Sequence, residues 1–175
     1  EIMDSKPHSI FTSLESISIP WKLFLLNNGL MTPQLETIAN SKIIPKILSN
    51  EEIEEGKIAR EVILENNHEE NIQKLLYAKS IWTTEELDDL LPDKSMPIGS
   101  LIAKKGFESY REVTKVYILK DKTISKHLEY EGDLEEHLVA REYTIYKNKK
   151  VLSEFIEVFR FDEDSIITKA LGSFY

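Results

Sequence analysis

The 175-residue chain contains no cysteine, so disulfides, thiolate metal ligands and cysteine nucleophiles are all excluded. No apolar run approaches the roughly 20 residues that a bilayer-spanning helix needs. The opening Glu1-Ile2-Met3-Asp4-Ser5-Lys6 lacks the basic-then-apolar order of a secretory signal, so a cytoplasmic protein is expected. Basic residues are in short supply: 22 Lys and Arg face 31 Asp and Glu, a formal net charge of −9. The longest basic stretch, Lys147 to Lys150, is interrupted by Asn148 and reads as a hairpin turn. Without a basic face, nucleic-acid binding is not expected, and an anionic ligand would need locally placed Arg or Lys. The four histidines, His8, His68, His127 and His137, show no HxxxH or HExxH spacing. No GxxxxGK[ST], GxGxxG or GxSxG motif occurs. Neither a metal nor an organic cofactor is therefore expected. Repeats, low-complexity tracts and Gly/Ser linkers are also missing.

What remains is an ordinary globular balance, 41% apolar and 30% charged, suited to one domain over residues 1–175. Residues 8–40 read as helical, broken by Pro20 and Pro33, with Asn27-Asn28-Gly29 as a stop. Thr32 before Pro33 reads as a helix cap. The apolar stripe over 10–26 reads as core. Short or β-branched runs at Ile43–Leu48, Ile58–Leu64, Leu75–Trp82, Arg111–Leu119, Val139–Tyr146 and Val151–Phe161 read as strands. Helices are expected from Thr84 and from Pro97, the latter ending at Gly106. The acidic runs Glu51–Glu55 and Glu131–Glu136 read as solvated loops or helix faces. The pattern is α+β: an antiparallel sheet of about six strands with helices packed around it.

The strands also hold charges in unexpected places. Residues two apart share a face. Arg60 is the lone charge among Ile58, Val62 and Leu64; Lys79 among Leu75, Tyr77 and Ile81; Glu157 among Val151, Ser153, Phe155 and Phe159. A buried unpaired charge is costly, so such residues should pair or face a cavity. Two readings stand: a small-ligand cavity walled by apolar side chains, or outward faces with Arg60 and Glu157 as a structural ion pair.

At these residues the chain resembles the chorismate pyruvate-lyase (4-hydroxybenzoate synthase) family, especially its archaeal and cyanobacterial-type branch. The resemblance spans about residues 21–161 and rests on several fragments in order. Trp21-Lys22-Leu23-Phe24-Leu25-Leu26 with Gly29-Leu30-Met31-Thr32 is similar to the family's opening helix and turn. Ala59-Arg60-Glu61-Val62-Ile63-Leu64 is similar to its Arg-Glu strand. Tyr77-Ala78-Lys79-Ser80, Pro97-Ile98-Gly99 and Tyr110-Arg111-Glu112 sit where the family has Ala/Gly-Arg-Ser/Thr, a Pro-Leu/Ile-Gly helix start and Phe-Arg-Glu. Asn148-Lys149-Lys150 followed by Glu157-Val158-Phe159 is similar to the hairpin and strand bearing the family's active-site glutamate. Three positions depart: Lys79 replaces an arginine, Ile156 a threonine and Arg160 a proline.

The resemblance implies a cofactor-free carbon–oxygen lyase that converts chorismate, a dicarboxylate, to 4-hydroxybenzoate and pyruvate. It implies Arg60 as ligand to a substrate carboxylate, Lys79 as a second cationic contact, and Glu157 against the ring hydroxyl or assisting proton removal. Met31, Ile98, Gly99, Leu101 and Arg111 would complete the substrate site. The same fold also serves as an effector-binding domain of bacterial transcription regulators, so a non-catalytic binder of an aromatic or carboxylate ligand is the alternative. Here the absence of a basic face, and of room for a helix-turn-helix, favours the freestanding enzyme.

Overall fold

A computed structural model describes residues 15–68, 71–90, 98–106, 109–129 and 137–175; of the side chains of 90, 98–100 and 103 nothing is described. Six strands form one antiparallel sheet: β1 (Ile43–Glu54), β2 (Lys57–Asn66), β3 (Lys74–Thr83), β4 (Ser109–Leu119), β5 (Leu138–Lys147) and β6 (Lys150–Arg160), in the order β1-β2-β3-β6-β5-β4. Two three-stranded meanders therefore meet at the β3–β6 seam. The helices are α1 (Ile19–Leu25), α2 (Met31–Ala39), α3 (Thr84–Leu90), α4 (Ile98–Lys105), α5 (Lys122–His127) and α6 (Ile166–Leu171).

Local chemistry explains most of these boundaries. Pro20 sits in the first turn of α1, where its missing N–H costs nothing. Trp21, Phe24 and Leu25 then recur at helical spacing and are buried, while Ile19 and Leu23 point out. α2 begins at Met31 with Leu30 at its cap position, so Thr32 lies inside the first turn and does not cap, contrary to expectation. Pro33 is tolerated there because first-turn N–H groups have no intrahelical partner. Asn40, left-handed at φ 48°, closes α2. α3 starts at Thr84 as expected, and Thr83 caps it: its Oγ1 accepts from the Glu86 N–H at 3.3 Å and its hydroxyl donates to Glu86 Oε2 at 2.9 Å. Asn148 and Lys149, at φ 50° and 66°, make the two-residue β5–β6 turn whose twist suits a hairpin. β1 is twice the expected length and runs into the acidic stretch, whose Glu51, Glu52 and Glu54 are exposed on this edge strand. Pro97 and the acidic stretch 131–136 lie outside the described residues, as do residues 8–14 of the expected helical region.

Register decides the faces. Arg60 pairs with Ser80, Val62 with Ala78, Ala78 with Glu157 and Glu157 with Arg141. Arg60, Ala78, Ser80, Glu157 and Arg141 therefore share one face of the sheet. Two apolar clusters cover that face. One packs α1, α2 and α6 (Trp21, Leu25, Leu35, Ile167) on Val62, Leu64, Leu76 and Phe159. The other packs Leu87, Leu101 and Ile102 of α3 and α4 on Trp82, Tyr143 and Ile145. On the opposite face, Leu128 and Ile124 from the α5 region cover Ile63, Tyr77, Leu138 and Val158.

Candidate functional site

Between the two clusters on the first face lies a cavity of about 70 Å³, lined by Leu30, Met31 and Thr32 from the start of α2, by Pro45, and by residues of five strands including Arg60, Ser80, Arg111, Tyr143 and Glu157. Its walls are mostly apolar, and its polar groups converge from β2, β3, β4, β5 and β6. Arg60 and Glu157 stand two strands apart and two residues apart along the strands. That corresponds to about 10 Å across the sheet and about 7 Å along it, a gap that long side chains can narrow around a ring-shaped ligand.

Arg60 is 1% exposed, and its Nε and Nη1 have neither water access nor a hydrogen-bond partner. Burial pulls its pKa below the ordinary arginine value; a guanidinium is so basic that it keeps its charge. A fully buried cation with unmet donors strongly favours an incoming anion. Ser80, its cross-strand neighbour, accepts the Trp82 Nε1–H at 2.8 Å. That leaves the Ser80 hydroxyl proton available to a ligand. Arg111, half-buried on β4, adds a second guanidinium to the lining.

Glu157 is held quite differently. Arg141, also 1% exposed, grips Oε2 through Nε and Nη2, both at 2.7 Å. The Tyr143 hydroxyl donates to Oε1 at 2.8 Å. Burial first, then the Glu157 charge, pushes the Tyr143 pKa well above the ordinary tyrosine value despite the opposing Arg141 and Arg111, so this phenol stays a donor. Arg141 takes up both lone pairs of Oε2, whereas Oε1 retains one for a ligand hydroxyl. With the Arg141–Glu157 pair internally compensated, Arg60 and Arg111 make the cavity cationic within a chain of net charge −9.

The expected residues divide. Arg60, Glu157, Met31 and Arg111 come together at the cavity. Lys79 does not: register pairs it with Glu61 on the opposite face, where its Nζ lies 3.1 Å from Glu61 Oε1 and its side chain is 43% exposed. The side-chain alternation around Lys79 was real, but it belongs to the sheet face away from Arg60. Leu101 is buried against Trp82 and Tyr143, behind the cavity wall. Ile98 and Gly99 open α4, and the Ile98 side chain is outside the described part. Ser80, Tyr143 and Arg141 were missed. Arg141 carried the same signal as the others, a lone charge alternating with Val139, Tyr143 and Ile145. Among the described residues no group of three or more His, Asp or Glu side chains is placed to hold a metal ion. No helix there is long and apolar enough to cross a membrane.

A model of the Rv2949c-like chorismate pyruvate-lyase family matches residues 30–166, which span all six strands and the cavity residues. The chain belongs to this family. Among relatives of this chain, the "uncharacterized protein ycf21" of Cyanophora paradoxa is 28% identical over 153 residues, covering 79% of this chain and 76% of that one. The crystal structure of the effector domain of PhnF from Mycobacterium smegmatis superposes with a TM-score of 0.56 at 11% identity, covering 79% of this chain and 92% of that domain. Longer PhnF superposes with a TM-score of 0.55 at 10% identity; 77% of this chain is covered but only 65% of that one. The chain thus spans about two thirds of longer PhnF, and the likeness shows a shared fold: a six-stranded antiparallel sheet with helices around it.

Proposed function

We propose that this family member is a carbon–oxygen lyase converting chorismate to 4-hydroxybenzoate and pyruvate. The observation that carries the proposal is the buried Arg60 guanidinium, with Nε and Nη1 unpartnered, sharing an apolar cavity with the anchored Glu157. Arg60 with Ser80 takes one substrate carboxylate in a charge-assisted contact. Arg111, in place of Lys79, takes the other. Glu157 accepts a hydrogen bond from the ring hydroxyl. Fixed by Arg141 and Tyr143, it orients the substrate without rearrangement during the reaction. The ether bond between ring and enolpyruvyl oxygen breaks, and the ring carbon bearing the hydroxyl loses its hydrogen. The enolpyruvyl fragment takes up a proton at its methylene carbon and leaves as pyruvate. Aromatisation drives the step, and no electron acceptor or water is consumed. The cavity's volume of about 70 Å³ is below the roughly 300 Å³ common for ligand sites, so its α2 wall must yield as the substrate enters.

The second reading is a non-catalytic binder of an aromatic acid. Its favouring observation is that both Glu157 oxygens already accept hydrogen bonds, which commits this carboxylate to Arg141 and Tyr143 within the fold. Incubation with chorismate, followed by chromatography of 4-hydroxybenzoate and a coupled assay for pyruvate, separates the two. Equimolar products, insensitive to EDTA, are expected. Binding without products selects the second reading. Arg111→Met should weaken chorismate, a dianion, far more than 4-hydroxybenzoate, a monoanion. Equal weakening would remove Arg111 from the second-carboxylate role.

A further inference from the structure

We propose that Arg141 is a positioning residue that couples the Glu157 carboxylate to the cavity wall formed by Leu30, Met31 and Thr32. For its consequence in turnover, this rests on the lyase reading above. Arg141 reaches in two directions at once. Nε and Nη2 hold Glu157 Oε2, while Nη1 donates to the carbonyls of Leu25 and Asn27, each at 3.1 Å. Leu25 ends α1 and Asn27 lies in the connection that leads directly into the cavity wall. One buried guanidinium therefore joins the centre of the sheet to the segment that covers it. The group is further confined by the rings of Tyr143 and Phe159, whose centroids lie 5.1 Å and 5.9 Å from its Cζ. A planar fork with donors on opposite sides suits this bridge, and a lysine ammonium at one point cannot span it. A ligand hydroxyl that shifts the Glu157 carboxylate thus shifts Arg141, and with it the wall. Since the empty cavity must enlarge to admit a ring, this link ties wall movement to occupation of Glu157.

Hydrogen exchange by mass spectrometry on the ligand-free protein tests the link without reference to catalysis. Arg141→Lys should speed exchange of the amides between Asn27 and Thr32 about tenfold, leaving those of β5 and β6 unchanged. Glu157→Gln, close to isosteric, should speed the same amides about threefold or more, because a neutral amide holds Arg141 less firmly. A role of Arg141 confined to its two carbonyls would leave exchange unchanged in Glu157→Gln, and that result overturns the coupling. A rise spread uniformly over the sheet overturns it too, showing general destabilisation. Steady-state kinetics of Arg141→Lys should show kcat for chorismate reduced more than KM is raised. If the wild-type protein makes no product, the lyase reading fails, while the exchange comparison still decides the coupling.

Discussion

Replacing Arg60 with methionine should stabilise the empty protein and sharply weaken ligand binding. Arg60 is 1% exposed, and its Nε and Nη1 reach no acceptor. Each buried donor left without a partner costs about 1–3 kcal/mol. Replacing a buried charged group by an apolar one of similar length is often stabilising, by about 1–4 kcal/mol. Methionine is shorter and leaves some empty volume beside Val62 and Leu64, which offsets part of the gain. The net expectation is a gain of about 1–2 kcal/mol, or a rise in Tm of roughly 2–8 °C for a chain of this size. Ligand affinity moves the other way. Loss of a desolvated charge-assisted contact costs about 2–5 kcal/mol, a roughly 30- to 5,000-fold weaker Kd. Scanning calorimetry of the ligand-free variant and titration calorimetry with 4-hydroxybenzoate read the two effects separately. A Tm that falls, with binding retained, would refute the reasoning, because it would mean that the guanidinium serves the fold and not a ligand.

Lys79→Ala should leave 4-hydroxybenzoate affinity within about twofold and stability within about 0.5 kcal/mol, since its half-exposed ion pair with Glu61 lies across the sheet from the cavity; the same titration and melting experiments check both values. For Glu61, burial pushes the pKa up but is outweighed by hydrogen bonds from Tyr77 and Lys79 and by the charges of Lys79 and His127, so it lies below the ordinary 4.5. A depressed carboxylate pKa gives stability that is fully present above 4.5 and lost as pH falls through the folded-state value. The stability deficit of Glu61→Gln in urea titrations should therefore shrink between pH 7 and about pH 3; a constant deficit would assign it to packing instead. Lys149→Gly should raise stability by up to about 1 kcal/mol, relieving the left-handed φ of 66° in the β5–β6 turn, as read by denaturant midpoint.

The sheet was legible in the sequence because β-branched runs and turn residues mark its strands, and the Lys147–Lys150 turn is a polar break between two such runs, with Asn148 a residue that tolerates positive φ. β1 was read too short because its second half, exposed at the sheet edge, has no apolar alternation to betray it. Glu51, Glu52 and Glu54 therefore resembled a loop. Thr32 was misread because a Thr-Pro pair looks like a cap, whereas burial of Met31 and Leu35 starts α2 two residues earlier. Lys79 was misplaced for a deeper reason. Period two says which residues of one strand share a face, and nothing about which face of the next strand they join. That is set by register, and here Arg60 stands opposite Ser80 and not Lys79.

Arg60 and Arg141 show what a lone charge on an apolar strand face can and cannot reveal. Both are 1% exposed, both alternate with apolar neighbours, and both lie on the same face. Alternation could have found either, yet their partners set them apart. Arg141 spends Nε and Nη2 on Glu157 and Nη1 on two carbonyls, so its desolvation is compensated within the fold. Arg60 has no such compensation at Nε and Nη1, and the fold bears the cost of keeping it charged and dry. A strand that needed only to pack would gain by losing Arg60; one that must hold an anion would not. On the proposed reading, this cation on β2 and the compensated carboxylate two strands away on β6 give the site its direction: an anion end at Arg60 and a hydroxyl end at Glu157.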